Sequence, residues 1–88
     1  MTDEQVKRFL RYRKSALVDF ALSSVNLTWK ERQTVELCGK QGYTQEQAAE
    51  QMERSVDAVQ KWYRTAFSKI REEWGEQEWI SILLQNIK

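Results

Sequence analysis

The stretch that decides the fold is residues 44–71, TQEQAAEQMERSVDAVQKWYRTAFSKIR. Thr44 is followed three residues later by Gln47, which is the spacing of a capping box and predicts that a helix begins here. Ser55 can cap a second helix, although it has no Glu or Gln three residues later. The sequence therefore predicts a short helix over about 45–53, a tight turn ending at Ser55, and a longer helix over about 56–73.

The apolar positions of this stretch predict how the two helices pack. Ala48 and Ala49 are small where two helices must cross closely, and Met52 and Val59 flank the turn. The longer helix carries a stripe with spacings of three and four residues, which indicates a face turned to the core. Its members are Val59, Trp62, Ala66, Phe67 and Ile70. Two helices joined by a tight turn, the second longer and basic, are typical of a helix-turn-helix.

Capping boxes also mark the starts of two earlier helices, at Thr2 and at Thr28. The first helix is predicted over about 3–24, with the buried stripe Val6, Phe9, Leu10, Leu17, Phe20 and Ala21. The next is predicted over about 29–40, with Val35 and Cys38 turned inward. Gly42 is available to end that helix in a left-handed conformation.

A last helix is predicted over 76–87, after Gly75 interrupts the pattern. The chain therefore reads as one compact all-α domain of five helices, residues 1–88. Within it, residues 1–26 form the N-terminal helix, residues 27–73 contain the helix-turn-helix, and residues 76–88 form the C-terminal helix.

Composition excludes most chemistry. The 88 residues include no histidine and one cysteine, Cys38, so an ordinary zinc site and a histidine-activated nucleophile are excluded. The three glycines do not have the spacing of a phosphate-binding loop. We expect a protein that is not an enzyme and needs no cofactor or metal. No apolar run is long enough to span a bilayer. The N-terminal residues carry charges where a secretory signal needs an apolar stretch, so we expect a cytosolic protein.

The net charge of +1 hides an uneven distribution along the chain. Residues 55–71 carry four basic side chains and one acidic side chain, whereas residues 72–88 carry one basic and four acidic side chains. A basic segment followed by an acidic tail indicates that one helix meets an anionic partner and its neighbour does not.

The basic helix has the arrangement that reads double-stranded DNA. A major groove admits one helix, and the N-terminal residues of that helix contact base edges. The outward positions after the turn are Val56, Asp57, Gln60 and Lys61, which we expect to read bases. We expect phosphate contacts from Thr44, Arg54, Ser55, Arg64, Lys69 and Arg71. Arg8, Arg11 and Lys14 could add phosphate contacts or simply solubilise the first helix.

Residues 27–71 resemble region 4 of bacterial sigma factors, the region that recognises the −35 promoter element. The resemblance rests on Leu27-Thr28 with Lys30-Glu31, on Gly42 before residues 44–47, TQEQ, and on residues 66–71, AFSKIR. It implies a helix-turn-helix of the winged-helix-like superfamily, whose reading residues would be Val56, Asp57, Gln60 and Lys61.

Two departures limit what the resemblance implies. The family often has arginines where Val56 and Gln60 stand, so its preferred base sequence does not carry over. Residues 1–26 do not resemble the sigma region that opens the −10 element. The resemblance therefore implies a small transcriptional regulator of bacteriophage or mobile-element origin rather than a complete sigma factor.

The C-terminal helix is more apolar than a short terminal helix needs to be. Its apolar side chains either fold back on the first helix or pair with a second subunit. We expect a homodimer through Trp79, Ile80, Leu83, Leu84 and Ile87.

Two other functions stay open for the same sequence. One is a small packaging subunit, similar to a phage small terminase, that binds the phage's own DNA. The other is a protein-binding module that contacts RNA polymerase or another regulator, which the near-neutral charge and the Glu-rich tail favour.

Overall fold

A computed structural model describes residues 1–86 as an all-helical protein without strands in that range. It contains six α-helices, one more than the sequence predicted, and one π-helical segment that directly continues the third helix. The elements are α1 (Asp3–Leu10), α2 (Ser15–Ser23), α3 (Trp29–Thr34), the π segment (Val35–Lys40), α4 (Gln45–Met52), α5 (Val56–Gly75) and α6 (Glu78–Asn86).

The prediction of a single helix over 3–24 is wrong, because the helix is interrupted between Leu10 and Ser15. Arg11 ends α1, and its side-chain Nε donates to the carbonyl oxygen of Gly39 at 3.2 Å. A straight helix over this span would be about 33 Å long and would carry its second half past the core. The break lets each half bury its own apolar residues, which are Val6, Phe9 and Leu10 in α1 and Val18, Ala21 and Leu22 in α2.

The break also changes which side of α2 faces inward. Leu17 and Phe20, predicted to be buried, are instead 36% and 66% exposed. Val18 and Leu22 take the inward positions. The predicted stripe assumes that one helix continues through residues 11–14. Because these residues are not helical, the side-chain directions in α2 do not continue those in α1.

The predicted helix over 29–40 is confirmed as α3 together with the π segment. Val35 and Cys38 are buried as predicted, and Gly42 has a φ of 76°, which is the predicted left-handed conformation. Burial raises the pKa of the Cys38 thiol, so this side chain behaves as a small apolar residue. At Gly39 a Cβ atom would lie 2.6 Å from Cδ1 of Leu10, so the glycine allows α1 to approach the π segment closely.

The buried side chains form two clusters. The larger cluster joins α1, α2, the C-terminal half of α5 and α6, and its largest side chain is Trp74, which is fully buried. The smaller cluster joins the π segment, α4 and the start of α5 through Leu37, Cys38, Ala48, Ala49 and Val59. Tyr63 packs against both clusters, so α5 is the helix that they share.

The last helix folds back onto the rest of the chain. Ile80 and Leu84 are buried in the larger cluster, and Trp79 and Leu83 pack against its edge. Ile80 and Leu84 therefore do not form a free surface, although both were expected to pair two subunits. Ile87, the last residue of that expected surface, lies outside the described residues. Within residues 1–86, none of the helices combines the length and the apolar character that crossing a bilayer requires.

Candidate nucleic-acid interface

The unit formed by α4, its turn and α5 is built from local capping interactions. Thr44 and Gln47 form the predicted capping box at the start of α4. Glu53 adopts a left-handed conformation, with φ 56° and ψ 44°, and the backbone N–H of Arg54 then donates to Ala49 at 2.9 Å. The Ser55 hydroxyl accepts from the N–H of Ala58 and starts α5. These bonds satisfy backbone groups at both helix ends and define the direction in which α5 leaves the turn.

Replacing Glu53 by glycine is expected to stabilise the fold by about 0.5–1 kcal/mol. A non-glycine residue in the left-handed region costs roughly 1–2 kcal/mol, and glycine removes that cost while losing more backbone entropy. Glu50→Gly, inside α4, is the control, and it should destabilise the fold by about 1 kcal/mol because the backbone of Glu50 is helical. Urea denaturation measures both values, and equal destabilisation by the two variants would contradict the role assigned to the turn.

One side of α5 is exposed and polar along its first two turns. Asp57, Gln60, Lys61 and Arg64 are all exposed and are spaced by three or four residues, so they form one surface, here called the α5 stripe. The stripe extends about 10 Å along the helix. Val56 lies beside it and is half-buried. All four residues predicted to read bases therefore lie in the first two turns of α5.

The residues predicted to contact phosphates separate into two groups. Thr44 and Ser55 are exposed caps whose hydroxyls accept from backbone N–H groups, and Arg54 is exposed in the turn. Arg64 is exposed within the stripe itself. Lys69 and Arg71 lie further along α5 and are held by acidic side chains of this chain.

Lys69 forms an ion pair with the buried carboxylate of Glu31. Its Nζ lies 2.7 Å from Oε1 of Glu31, and the same oxygen accepts from the backbone N–H of Thr28 at 2.8 Å. Burial alone would raise the pKa of Glu31, but the hydrogen bonds from Lys69 and Thr28 outweigh it and hold the pKa below its ordinary value. This ion pair links α3 to α5. A second ion pair, between Arg71 and Asp3, links α5 to α1.

Glu31→Gln is expected to destabilise the fold by about 1–2 kcal/mol at neutral pH. Glutamine can still accept from Thr28 and Lys69 through its amide oxygen, but it carries no negative charge, so the ionic attraction to the Lys69 ammonium is lost. The folded-state pKa of Glu31 is lowered, so its contribution is present above its ordinary pKa of about 4.3 and is lost as the pH falls through the lower folded value.

The stability gap between the wild type and E31Q should therefore close on acidification. Urea denaturation at about pH 7 and about pH 3 measures this gap. Glu50→Gln, at an exposed position of α4, is the control and should show no such gap at either pH. A gap that stays constant down to the lower pH would contradict the role assigned to the ionised carboxylate.

The sequence did not predict the contact between α3 and the N-terminal half of α5. The ammonium of Lys30 lies 5.3 Å from the centroid of the Trp62 ring, in the geometry of a cation–π contact. Trp62 is half-buried and packs against the smaller cluster, which agrees with its assignment to the core. Trp29, for which no role was predicted, is 70% exposed at the start of α3. No local pattern indicates these contacts, because the partners are far apart in the sequence.

The outer face of α4 carries the opposite charge to the α5 stripe. Glu46, Glu50 and Glu53 are exposed, and no lysine or arginine occurs between Gln41 and Glu53. An anionic ligand is therefore attracted by the basic side chains of the α5 stripe and repelled by these carboxylates, of which Glu46 lies in the first turn of α4.

The positive charge of this surface comes from Lys61 and Arg64 within the stripe and from Arg54 in the turn before it, all of which are exposed. The candidate interface is thus a small surface beside the smaller cluster that carries three basic side chains, one acidic side chain, Asp57, and uncharged groups. Comparison of the chain with protein-family models, with curated proteins and with solved structures gave no match.

Proposed function

We propose that this protein binds double-stranded DNA in a sequence-specific manner and regulates transcription for a bacteriophage or mobile element. In this proposal α4, the turn and α5 act as a helix-turn-helix similar to sigma region 4, and the start of α5 enters the major groove. The observation that carries the proposal is the left-handed turn at Glu53 followed by the exposed α5 stripe. Because the opposite side of α5 is buried, the stripe can enter a groove without disturbing the core.

The chemistry of the stripe suits base edges. Gln60 and Lys61 can donate to acceptors such as the O6 and N7 atoms of guanine or the N7 atom of adenine. Asp57 can accept from the amino group of cytosine, and it repels phosphate when the helix is out of register. Val56 can contact the methyl group of thymine. This set would discriminate among base pairs without the arginines that the sigma family often uses.

Contacts to the backbone would come from the edges of the same unit. Arg54 and Arg64 are exposed cations on either side of the reading residues, and the N-termini of α4 and α5 can approach phosphates near Thr44 and Ser55. Lys69 and Arg71 would have to leave their ion pairs to join them. With so few cations, binding to random DNA should be weak, and its salt dependence should be shallow because the salt slope scales with the number of phosphates contacted.

Selection of binding sites from a randomised duplex pool, with purified protein at two salt concentrations, tests the proposal. Enrichment of an inverted repeat would establish a dimeric sequence-specific regulator. Enrichment of a single half-site would indicate one module that binds beside a partner such as RNA polymerase. If no sequence is enriched and retention disappears at moderate salt, the proposal fails.

A protein-binding module is the second candidate, and the acidic face of α4 favours it. Glu46, Glu50 and Glu53 would face the flank of the duplex if α5 entered the groove, whereas a basic protein surface would complement them. Charge reversal at Glu50 distinguishes the candidates. Glu50→Lys should strengthen retention of DNA at low salt if α4 lies near the duplex, and it should weaken capture of a basic protein partner otherwise.

A further inference from the structure

Helices α2 and α6 together expose a continuous apolar patch. Phe20 is 66% exposed and its ring lies 6.0 Å from that of Trp79, which joins the two helices at the surface. Leu17 precedes Phe20 by one helical turn, and Ile82 follows Trp79 by one turn and is 53% exposed. With Leu83 these side chains form what is here called the α2/α6 patch. It exposes on the order of 300–400 Å² of apolar surface, which is the size of patch that often marks an interaction site.

The two helices that carry the patch are almost free of charge. Their eighteen residues include only Asp19 and Glu78 as charged side chains, and neither helix contains lysine or arginine. Asp19 is held by Lys40, whose Nζ lies 2.9 Å from its carboxylate. A partner for this surface must be equally apolar and uncharged at its centre, because a charge placed there would lose its hydration without compensation.

The two ends of the patch carry opposite charges. Glu72, Glu73 and Glu76 lie beside the end of α2, where they line one shallow cavity with Val25, Asn26 and Lys69, and Lys69 is paired with Glu31. Arg13 and Lys14 are exposed at the other end of α2, about 15 Å away along the helix. Phe20 lies between these two flanks. A two-fold rotation about the patch would therefore bring the basic flank of one copy against the acidic flank of the other.

We propose that the α2/α6 patch binds a second copy of this chain in an antiparallel, two-fold arrangement. The apolar centres pair with each other, and the flanks pair by opposite charge, so one surface supplies both halves of the interface. With its polar rim the contact would cover about 600 Å² on each subunit, which is the lower end for a specific interface. That area is roughly a tenth of the 5687 Å² surface of the chain.

This dimer differs from pairing through the whole apolar side of the last helix, because Ile80 and Leu84 stay in the core of their own subunit. It also leaves the α5 stripe free. Trp79 and Leu83 of the patch pack against the larger cluster, whereas the stripe starts beside the smaller one. The inference therefore does not rest on DNA binding, and either can hold without the other.

Sedimentation equilibrium of the full chain over a range of concentrations tests the association. The wild type should form a dimer, and Phe20→Ser should weaken it at least tenfold, as should Ile82→Ser. Trp29→Ser is the matched control, because Trp29 is equally exposed but lies on α3, outside the patch. Circular dichroism confirms that each variant is folded. A wild type that stays monomeric up to about 1 mM, or equal weakening by Trp29→Ser and Phe20→Ser, would overturn the proposal.

A charge swap tests the two-fold arrangement itself. Lys14→Glu and Glu76→Lys should each weaken the dimer by about threefold to tenfold, since each substitution occurs twice in a two-fold dimer. The double variant restores opposite charges across the axis and should recover most of the wild-type affinity. Additive weakening in the double variant would overturn this arrangement. Binding of a single half-site by monomeric F20S, measured separately, shows whether DNA reading survives when the dimer is lost.

Discussion

Trp74→Ala should destabilise the protein by about 3–5 kcal/mol, which is enough to unfold much of the population of so small a domain. Trp74 is fully buried in the larger cluster and packs edge-to-face against Phe9, with their ring centroids 4.9 Å apart. Its indole N–H also donates to the carbonyl of Ala21 at 3.0 Å. The substitution removes all of this packing and leaves a cavity where α1, α2 and α5 meet.

Two further variants separate the packing of Trp74 from its hydrogen bond. Trp74→Phe keeps an aromatic ring but loses the donor to Ala21, whose carbonyl still accepts from the Ser24 hydroxyl at 2.8 Å. It should cost about 1–2 kcal/mol. Trp29→Ala is the control and should stay within about 0.5 kcal/mol, since its side chain is 70% exposed. Urea denaturation gives the three values, and equal losses for the alanine variants at Trp74 and Trp29 would contradict the position assigned to Trp74 in the core.

Alanine at Gln60 or Lys61 should each cost about 1–3 kcal/mol of binding free energy on the preferred DNA site and relax selectivity for the base pair it contacts. Both side chains are exposed in the first turns of α5, so neither substitution should affect folding. Arg64→Ala is the informative contrast, because loss of a phosphate contact weakens binding to all sequences and lowers the salt slope by about one. Fluorescence anisotropy with the selected site and single-base variants at several salt concentrations measures both effects.

Gln85→Ala serves as the control for Gln60→Ala, because it removes the same exposed side chain from α6. It should leave DNA binding unchanged. If Gln60→Ala and Lys61→Ala reduce binding equally on every duplex, the two residues do not read bases, and the start of α5 contacts the backbone only.

Helix starts could be predicted from the sequence because they depend on local bonds. The capping boxes at Thr2, Thr28 and Thr44 all form, and each marks the start of a helix to the residue. The break after Leu10 was missed because the apolar spacing runs through it. At the end of α1 the side chain of Arg11 donates to the carbonyl of Gly39, 28 residues away, and no local pattern indicates this contact.

In the candidate site, features that depend on nearby residues could be predicted, and contacts between distant residues could not. The exposure of Asp57, Gln60 and Lys61 follows from helical periodicity once Val59 and Ala66 are assigned to the core. The ion pairs of Lys69 and Arg71 could not be predicted, because Glu31 and Asp3 lie on other helices. A count of basic residues along α5 thus overstates the positive charge that is free to meet a ligand. The core role of Trp74 could have been inferred, since it follows Ile70 by four residues and Phe67 by seven.

The two buried clusters differ in size, and α5 passes through both. Segments with few buried apolar contacts open at lower free energy than the global unfolding reaction. The surface proposed to meet DNA lies on the smaller cluster, so we expect α4 and the first turns of α5 to open at a lower free energy than the helices of the larger cluster. A ligand that binds only the closed form of this region would raise its free energy of local opening. It would therefore slow amide exchange in α4 more than in the half of α5 around Trp74.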